Sequence, residues 1–135
     1  MFALMQSTRL ESLHLSVDPV TGLKAVIAIH DSRLGPALGG CRYLAYPNDE
    51  SAVEDAIRLA QNMSYKAAPA GLAQGGGVAV VRRPAHVENR AALFEAFGRC
   101  IEQLDGRYIT AIDSGTSVAD MDCIAQQTRH VTSTT

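Results

Sequence analysis

The sequence predicts an α/β fold, a mixed sheet in three layers with helices on both faces. Three observations carry that expectation. Short runs of branched apolar residues alternate with longer amphipathic segments. The first two runs are joined by a turn, as in an antiparallel hairpin. The later runs, residues 78–81 (VAVV) and 108–112 (YITAI), lack polar alternation, which is the pattern of strands buried on both faces in a parallel sheet. With 135 residues the chain reads as one domain spanning 1–135. A chain of that size buries roughly two-thirds of its unfolded surface, enough for a core without staples.

Residues 13–17 (LHLSV) alternate like a half-buried strand, 18–22 (DPVTG) are a turn, and 23–30 (LKAVIAIH) are a second strand rich in branched residues. A glycine-rich stretch follows at 33–47, and its end, 41–46, reads as a third strand. Residues 48–51 (NDES) open a helix, with Asn48 or Ser51 as N-cap and Ser51 and Glu54 at capping-box spacing. Val53, Ala56, Ile57, Ala60 and Met63 make its apolar face, and the helix is expected to fray over 63–65. Residues 88–104 form the clearest helix, with Phe94, Phe97, Ile101 and Leu104 as core stripe and Gly106 as a C′ residue. A short helix over 117–127 and the start of a strand at 130–132 complete the order β-β-β-α-β-α-β-α-β.

Composition narrows the function classes. Hydrophobic residues at 47% and charged residues at 19% are ordinary for a globular protein. A net charge of −2 and scattered basic residues leave no electrostatic footprint for nucleic acid or an anionic membrane. Arg82 and Arg83 are the only basic doublet and read as a solvated strand end. Three cysteines, Cys41, Cys100 and Cys123, without CxxC spacing argue against a disulfide framework or zinc site and for a reducing compartment. His14, His30, His86 and His130 lack ligand spacing, so no metal site is expected. No apolar run reaches the ~18 residues of a membrane span, and residues 1–10 lack the parts of a signal peptide. A cytoplasmic location is the expectation.

Several constellations carry chemistry. Asp113, with Ser114, Gly115 and Thr116, follows the 108–112 strand, and sites in open α/β sheets gather beyond the carboxyl ends of strands. A plainer reading is that Asp113 satisfies backbone N–H groups in that turn. Lys66 is one of two lysines, and no charged residue follows it within five positions. It is either a solvated surface residue or, among small residues that admit a ligand, a point-charge partner for a carboxylate. The run Gly75-Gly76-Gly77 leads into a strand, whereas a dinucleotide fingerprint leaves a strand and opens a helix. No Lys-Ser/Thr pair follows it, so it is no P-loop either. It is a flexible loop or a backbone wall against a ligand. Leu38-Gly39-Gly40 is a third small-residue step that could wall the same pocket, and Met63 closes the apolar stripe of its helix. "AIDSGTS" looks like the Asp-Ser-Gly-Thr motif of aspartic proteases, but those are almost all β, and here helix-forming sequence stands on both sides.

Residues 28–77, "AIHDSRLGPALGGCRYLAYPNDESAVEDAIRLAQNMSYKAAPAGLAQGGG", resemble the N-terminal domain of leucine dehydrogenases, in the Glu/Leu/Phe/Val dehydrogenase family. "GRYITAIDSGTSVADMD" at 106–122 resembles the family's catalytic-aspartate segment. The ordered set LGPALGG, MSYK, GLxxGG and YITAxDxGT is specific where no single motif would be. The resemblance implies reversible NAD-dependent oxidative deamination of an apolar L-amino acid to a 2-oxo acid and ammonia. It implies that Lys66 binds the substrate α-carboxylate, that Asp113 handles the amine and its proton, and that Gly39 and Gly40 line the pocket, with Leu38 and Met63 counted among the substrate contacts. In the glutamate-specific branch a lysine precedes the Gly-Gly; Leu38 stands there, which favours a branched-chain substrate over glutamate. The resemblance also implies the partners: a branched-chain L-amino acid or its 2-oxo acid, and further copies of the chain in a homo-oligomer.

Two departures matter. The family carries a catalytic lysine just after the glycines, and that position is Val78, which has no proton to exchange. Loss of a general base is expected to remove about 10²–10⁴-fold in rate. The family also continues into a Rossmann domain that binds the nicotinamide cofactor, and nothing here has the strand–GxGxxG–helix context, so no NAD is expected on this chain alone. The stop after "HVTSTT" is expected to mark a fragment of a longer protein. The alternative to a catalytic part is a non-catalytic amino-acid-binding or oligomerisation module.

Overall fold

The computed structural model describes residues 1–33, 35–67 and 75–135, and side chains outside 64–67. Along the described residues the elements are α1 (Phe2–Thr8), β1 (Ser12–Asp18), β2 (Leu23–Ile29), β3 (Ala37–Leu44), α2 (Asp49–Ala67), β4 (Gly77–Arg82), α3 (Arg90–Glu102), β5 (Tyr108–Ile112) and α4 (Val118–Ala125). The strands form one five-stranded sheet in the order β1-β2-β4-β3-β5. β2 runs antiparallel to β1 and β4, while β3 runs parallel to β4 and β5. This is the expected mixed sheet, with helices on both faces.

Period two along the strands sorts the apolar residues into two layers. Ile27, Cys41, Tyr43, Ala79 and Val81 face α3 and α4, where Phe94, Phe97, Ile101 and Ile124 are fully buried. Val26, Ala28, Val78 and Val80 face α2 and meet Val53, Ala56, Ile57 and Ala60, the stripe expected from helical spacing. α2 lies on β4 and β2. The same face of β3 and β5 is less covered: β3 alternates buried and half-buried residues along its whole length. That half-covered floor is where the site lies.

The structure differs from the sequence expectation at several points. α1 was not anticipated; its Leu4 and Met5 pack against the α2 layer. β3 starts at Ala37, ahead of the expected residue 41, because pairing of residues 37–41 with β5 overrides the poor strand propensity of Gly39 and Gly40. β4 is buried because it is central, and it is parallel to only one neighbour. α2 continues past residue 65 to Ala67, and its N-cap is Asn48, whose carboxamide oxygen accepts the Ser51 N–H at 2.7 Å. The capping box sits instead on α4, between Ser117 and Asp120. α3 begins at Arg90, capped by Asn89, and ends at Glu102 with Gln103 as C-cap. Gly106 is therefore not C′; it takes φ 86° in the turn beyond, after Asp105 at φ 53°. At residues 130–132 there is a single bridge, Val131 to Thr110, in place of a strand.

Candidate functional site

The half-covered floor is built by register. Gly40 on β3 lies beside Ala111 on β5, and Cys41 lies beside both Ala79 and Ile112. One step back from the Cys41–Ala79 pair, Val78 neighbours Gly40. One step on from the Cys41–Ile112 pair, Asp113 neighbours Arg42. Leu38, Gly40 and Arg42 thus share one face of β3 with Val78 of β4 and Asp113 at the end of β5.

The two glycines of β3 are held by two different contacts. A Cβ on Gly40 would stand 2.4 Å from Asp113 Oδ2 and 2.5 Å from Asp113 Cβ, so the carboxylate occupies the room a side chain would need. A Cβ on Gly39 would stand 1.5 Å from the Gly77 carbonyl oxygen, where β4 approaches β3. The Tyr108 hydroxyl donates to the Gly39 carbonyl at 2.9 Å from within the core. Burial raises the pKa of that hydroxyl well above its ordinary value, so it stays a donor.

Asp113 is fixed by its turn. Its N–H donates to the Thr116 hydroxyl at 2.9 Å, and that hydroxyl donates to the Cys41 carbonyl on β3 at 3.0 Å. The Ser114 N–H donates to Asp113 Oδ1 at 2.7 Å. Oδ2 is left facing Gly40 and the floor, with Arg42 Nε 3.7 Å away. Arg42 Nε is buried and has no hydrogen-bond partner among the described residues. The plainer sequence reading of Asp113, as a carboxylate satisfying a backbone N–H, describes Oδ1 alone. A carboxylate with one oxygen tied to the backbone and the other open can accept a proton or an ammonium N–H without changing its position.

The turn is braced from below. Arg90 donates from Nε to Asp120 Oδ1 at 2.9 Å, and from Nη2 to Asp120 Oδ2 at 2.7 Å and to the Gly115 carbonyl at 3.0 Å. Its guanidinium lies 4.7 Å from the Tyr43 ring centroid. Burial raises the Asp120 carboxyl, but the Arg90 bonds and the Ser117 N–H outweigh it and hold its pKa below the ordinary value.

Of the residues singled out in the sequence, the structure brings Leu38, Gly40, Val78 and Asp113 to one face. Gly39 is buried and turned to the close contact with Gly77. Val78 is 2% exposed in the apolar layer under α2. Met63 is half-buried at the edge of that layer. Lys66 lies in the last turn of α2, and its side chain is outside the described residues, as are residues 71–74 of the glycine-rich stretch. Arg42 was missed, although period two from Leu38 and Gly40 points to it. Tyr46 was missed as well; it donates to Asp55 Oδ2 on α2, and burial with that bond raises its pKa far above the ordinary value.

No strand-to-helix turn among the described residues carries the glycine spacing of a dinucleotide site, and Gly77 opens β4, so these residues do not fit a nicotinamide cofactor. Among the described residues no group of three His, Cys, Asp or Glu side chains could hold a metal ion, and no helix is long and apolar enough to cross a membrane.

Comparison with known proteins bears on this geometry. Residues 9–130 match the family described as Glu/Leu/Phe/Val dehydrogenase, dimerisation domain. The leucine dehydrogenase of Geobacillus stearothermophilus is 52% identical over 132 residues, which are 98% of this chain and 36% of that protein. The valine dehydrogenase of Streptomyces albus is 50% identical over 122 residues, 90% of this chain and 34% of that one. The crystal structure of L-tryptophan dehydrogenase from Nostoc punctiforme superposes with a TM-score of 0.90 at 38% identity, covering 97% of this chain and 38% of the other. A hetero-hexameric glutamate dehydrogenase from Thermus thermophilus shares the fold, with a TM-score of 0.74 at 20% identity over 93% of this chain and 34% of that one. The chain thus spans about a third of the length of its curated relatives, 36% for the first of them.

Two predictions follow from the packing of the site. Gly40→Ala is expected to push the Asp113 carboxylate aside and to lower stability by about 1–3 kcal/mol, read by urea unfolding. Asp120→Asn is expected to cost roughly 1–3 kcal/mol at neutral pH. Because the folded pKa of Asp120 is depressed, its contribution is full above its unfolded value of about 4 and lost as pH falls through the folded value. Urea midpoints taken from neutral pH downward should therefore fall less steeply in acid for Asp120→Asn than for the parent chain.

Proposed function

We propose that this chain, which belongs to the Glu/Leu/Phe/Val dehydrogenase family through its dimerisation domain, is the substrate-binding and oligomerisation domain of an enzyme that reversibly deaminates branched-chain L-amino acids. The observation that carries this reading is that residue 78 and Asp113 flank Gly40 on one face, so a side chain at 78 and the open oxygen of Asp113 address the same small volume. Asp113 Oδ2 would accept the α-ammonium and take a proton from it. Lys66 would pair the α-carboxylate from the end of α2. Leu38, half-buried on the floor, offers an apolar contact and cannot pair the distal carboxylate of glutamate. NAD would supply the hydride acceptor from a further domain, since the described residues of this chain do not fit it. The domain would act in the cytoplasm, in keeping with three unpaired cysteines.

In this reading the chain as it stands lacks a base. Val78 has no proton to exchange, and the water that must attack the imino carbon has no partner at that position. One observation favours a second reading, a non-catalytic amino-acid-binding or oligomerisation module: Val78 completes the apolar layer at 2% exposure, so the position is filled without a base.

Two measurements separate these readings. Calorimetric titration of the chain with L-leucine is expected to show weak binding, lost in Lys66→Ala, because a cleft of this kind closes only against a second domain. No uptake by either protein would sink the binding role. In the longer polypeptide to which the domain is proposed to belong, Val78→Lys is expected to raise NADH formation from L-leucine by about 10²–10⁴-fold. An unchanged rate would overturn the lost-base account.

A further inference from the structure

We infer that Arg42 is a positioning residue for Asp113: the buried edge of its guanidinium holds the carboxylate across the floor by charge alone, which keeps Oδ2 open to the ammonium of a ligand. The placement of the carboxylate stands on geometry, while the ligand's part in it rests on the proposed reading of this floor as an amino-acid site. The turn alone does not account for that placement. The Ser114 N–H fixes Oδ1 at 2.7 Å, but one bond to one oxygen leaves the broad terminal torsion of an aspartate unset. Gly40 gives Oδ2 room, since an added Cβ there would stand 2.4 Å from it. Room permits the placement without enforcing it.

Charge supplies what the turn lacks. Arg42 Nε lies 3.7 Å from Asp113 Oδ2, and among the described residues neither side chain makes another ion pair. That distance is too long for a hydrogen bond and well within the reach of a charge pair. Oδ2 is therefore attracted to the floor with its lone pairs unused by Arg42. The two side chains are 29% and 34% exposed, so water screens the pair only in part. A guanidinium is not deprotonated in a protein. Arg42 thus stays cationic while a proton moves on or off Oδ2, and it orients the carboxylate without relaying the proton.

Burial points the same way. Arg42 Nε is buried and has no hydrogen-bond partner among the described residues. Register sets Arg42 beside Val80 of β4, a fully buried residue of the α2 layer that offers no side-chain acceptor. On its other side stands Asp113. A buried N–H without an acceptor lowers stability, and an apolar residue at 42 would avoid that cost. What the guanidinium contributes at this position is its charge, directed at one carboxylate oxygen.

Crystal structures of the parent chain, Arg42→Met and Arg42→Lys test the placement without any ligand. Methionine keeps the apolar stem and removes a buried donor, so the fold is expected to be kept. Asp113 Oδ2 is expected over Gly40 in the parent and in Arg42→Lys, which keeps the charge, and turned off the floor in Arg42→Met. Titration calorimetry tests the consequence. Arg42→Met is expected to weaken L-leucine binding by about tenfold or more. Binding of 4-methylpentanoate, which has the same carboxylate and side chain but no ammonium, is expected to stay unchanged. A merely structural role would weaken both ligands alike. An Asp113 carboxylate that keeps its place in Arg42→Met, one that leaves it in Arg42→Lys, or equal losses for the two ligands would each overturn the proposal. If the carboxylate moves as expected and the parent chain binds neither ligand, the role of Arg42 in placing it stands, and the amino-acid reading of the floor is what fails.

Discussion

Among the described residues the tightest passage for an added side chain is that of β3 between the Gly77 carbonyl and the Asp113 carboxylate. At residues 39 and 40 there is no room for a side chain on either side, with clearances of 1.5 Å and 2.4 Å for an added Cβ. Gly39 lets β4 come close enough to pair, and Gly40 lets the carboxylate that ends β5 lie across the strand instead of turning to solvent. The site's geometry is thus a by-product of sheet closure. Asp113 is aimed by the same backbone contacts that hold β3 and β5 together, with the Thr116 hydroxyl joining the turn to the Cys41 carbonyl. A carboxylate so placed needs little reorganisation when a ligand arrives, which is the physical content of preorganisation.

α2 decides where the floor stays open. It packs on β4 and β2, because its stripe from Val53 to Ala60 matches the even residues of those strands, and among the described residues β3 is only half-buried on the same side. The last turn of α2 ends at Ala67, just past Lys66. At its start, Arg82 reaches Asp49 and the Tyr46 carbonyl, tying the end of β4 to the beginning of the helix. The cleft is thereby bounded by one long helix along one side and by a braced turn, Arg90 to Asp120 and Gly115, at the other.

Much of this was legible in the sequence, for reasons that can be named. The two long helices carried 3.6-residue stripes, and the hairpin carried alternation and a turn, so local pattern and tertiary packing agreed. Asp113 was legible because it follows an apolar strand and precedes a capping sequence. What failed was whatever depends on a distant partner. β3 was read four residues short because Gly39 and Gly40 look like loop until β5 pairs with them. Gly106 looked like a helix stop because helix termini are set by competition among neighbouring caps. Arg42 went unseen because its importance lies in its cross-strand neighbour, not in its own segment, although alternation from Leu38 was sufficient to place it on the floor.

On the proposed reading, valine at 78 has an energetic sense beyond the absence of a base. An ammonium beneath α2, among Ala28, Ala56 and Val80, would be taken out of water and would have its charged form disfavoured. A catalytic lysine uses that penalty to lower its pKa toward neutrality. Valine removes the penalty and contributes apolar contact instead, in the layer that holds Val26, Ala28, Ala56 and Val80. On the proposed reading, a site that no longer turns over gains stability from the exchange while Asp113, Gly40 and Leu38 keep their places. Active sites commonly hold residues that are poor for stability, and on the proposed reading that conflict is resolved at position 78 in favour of the fold.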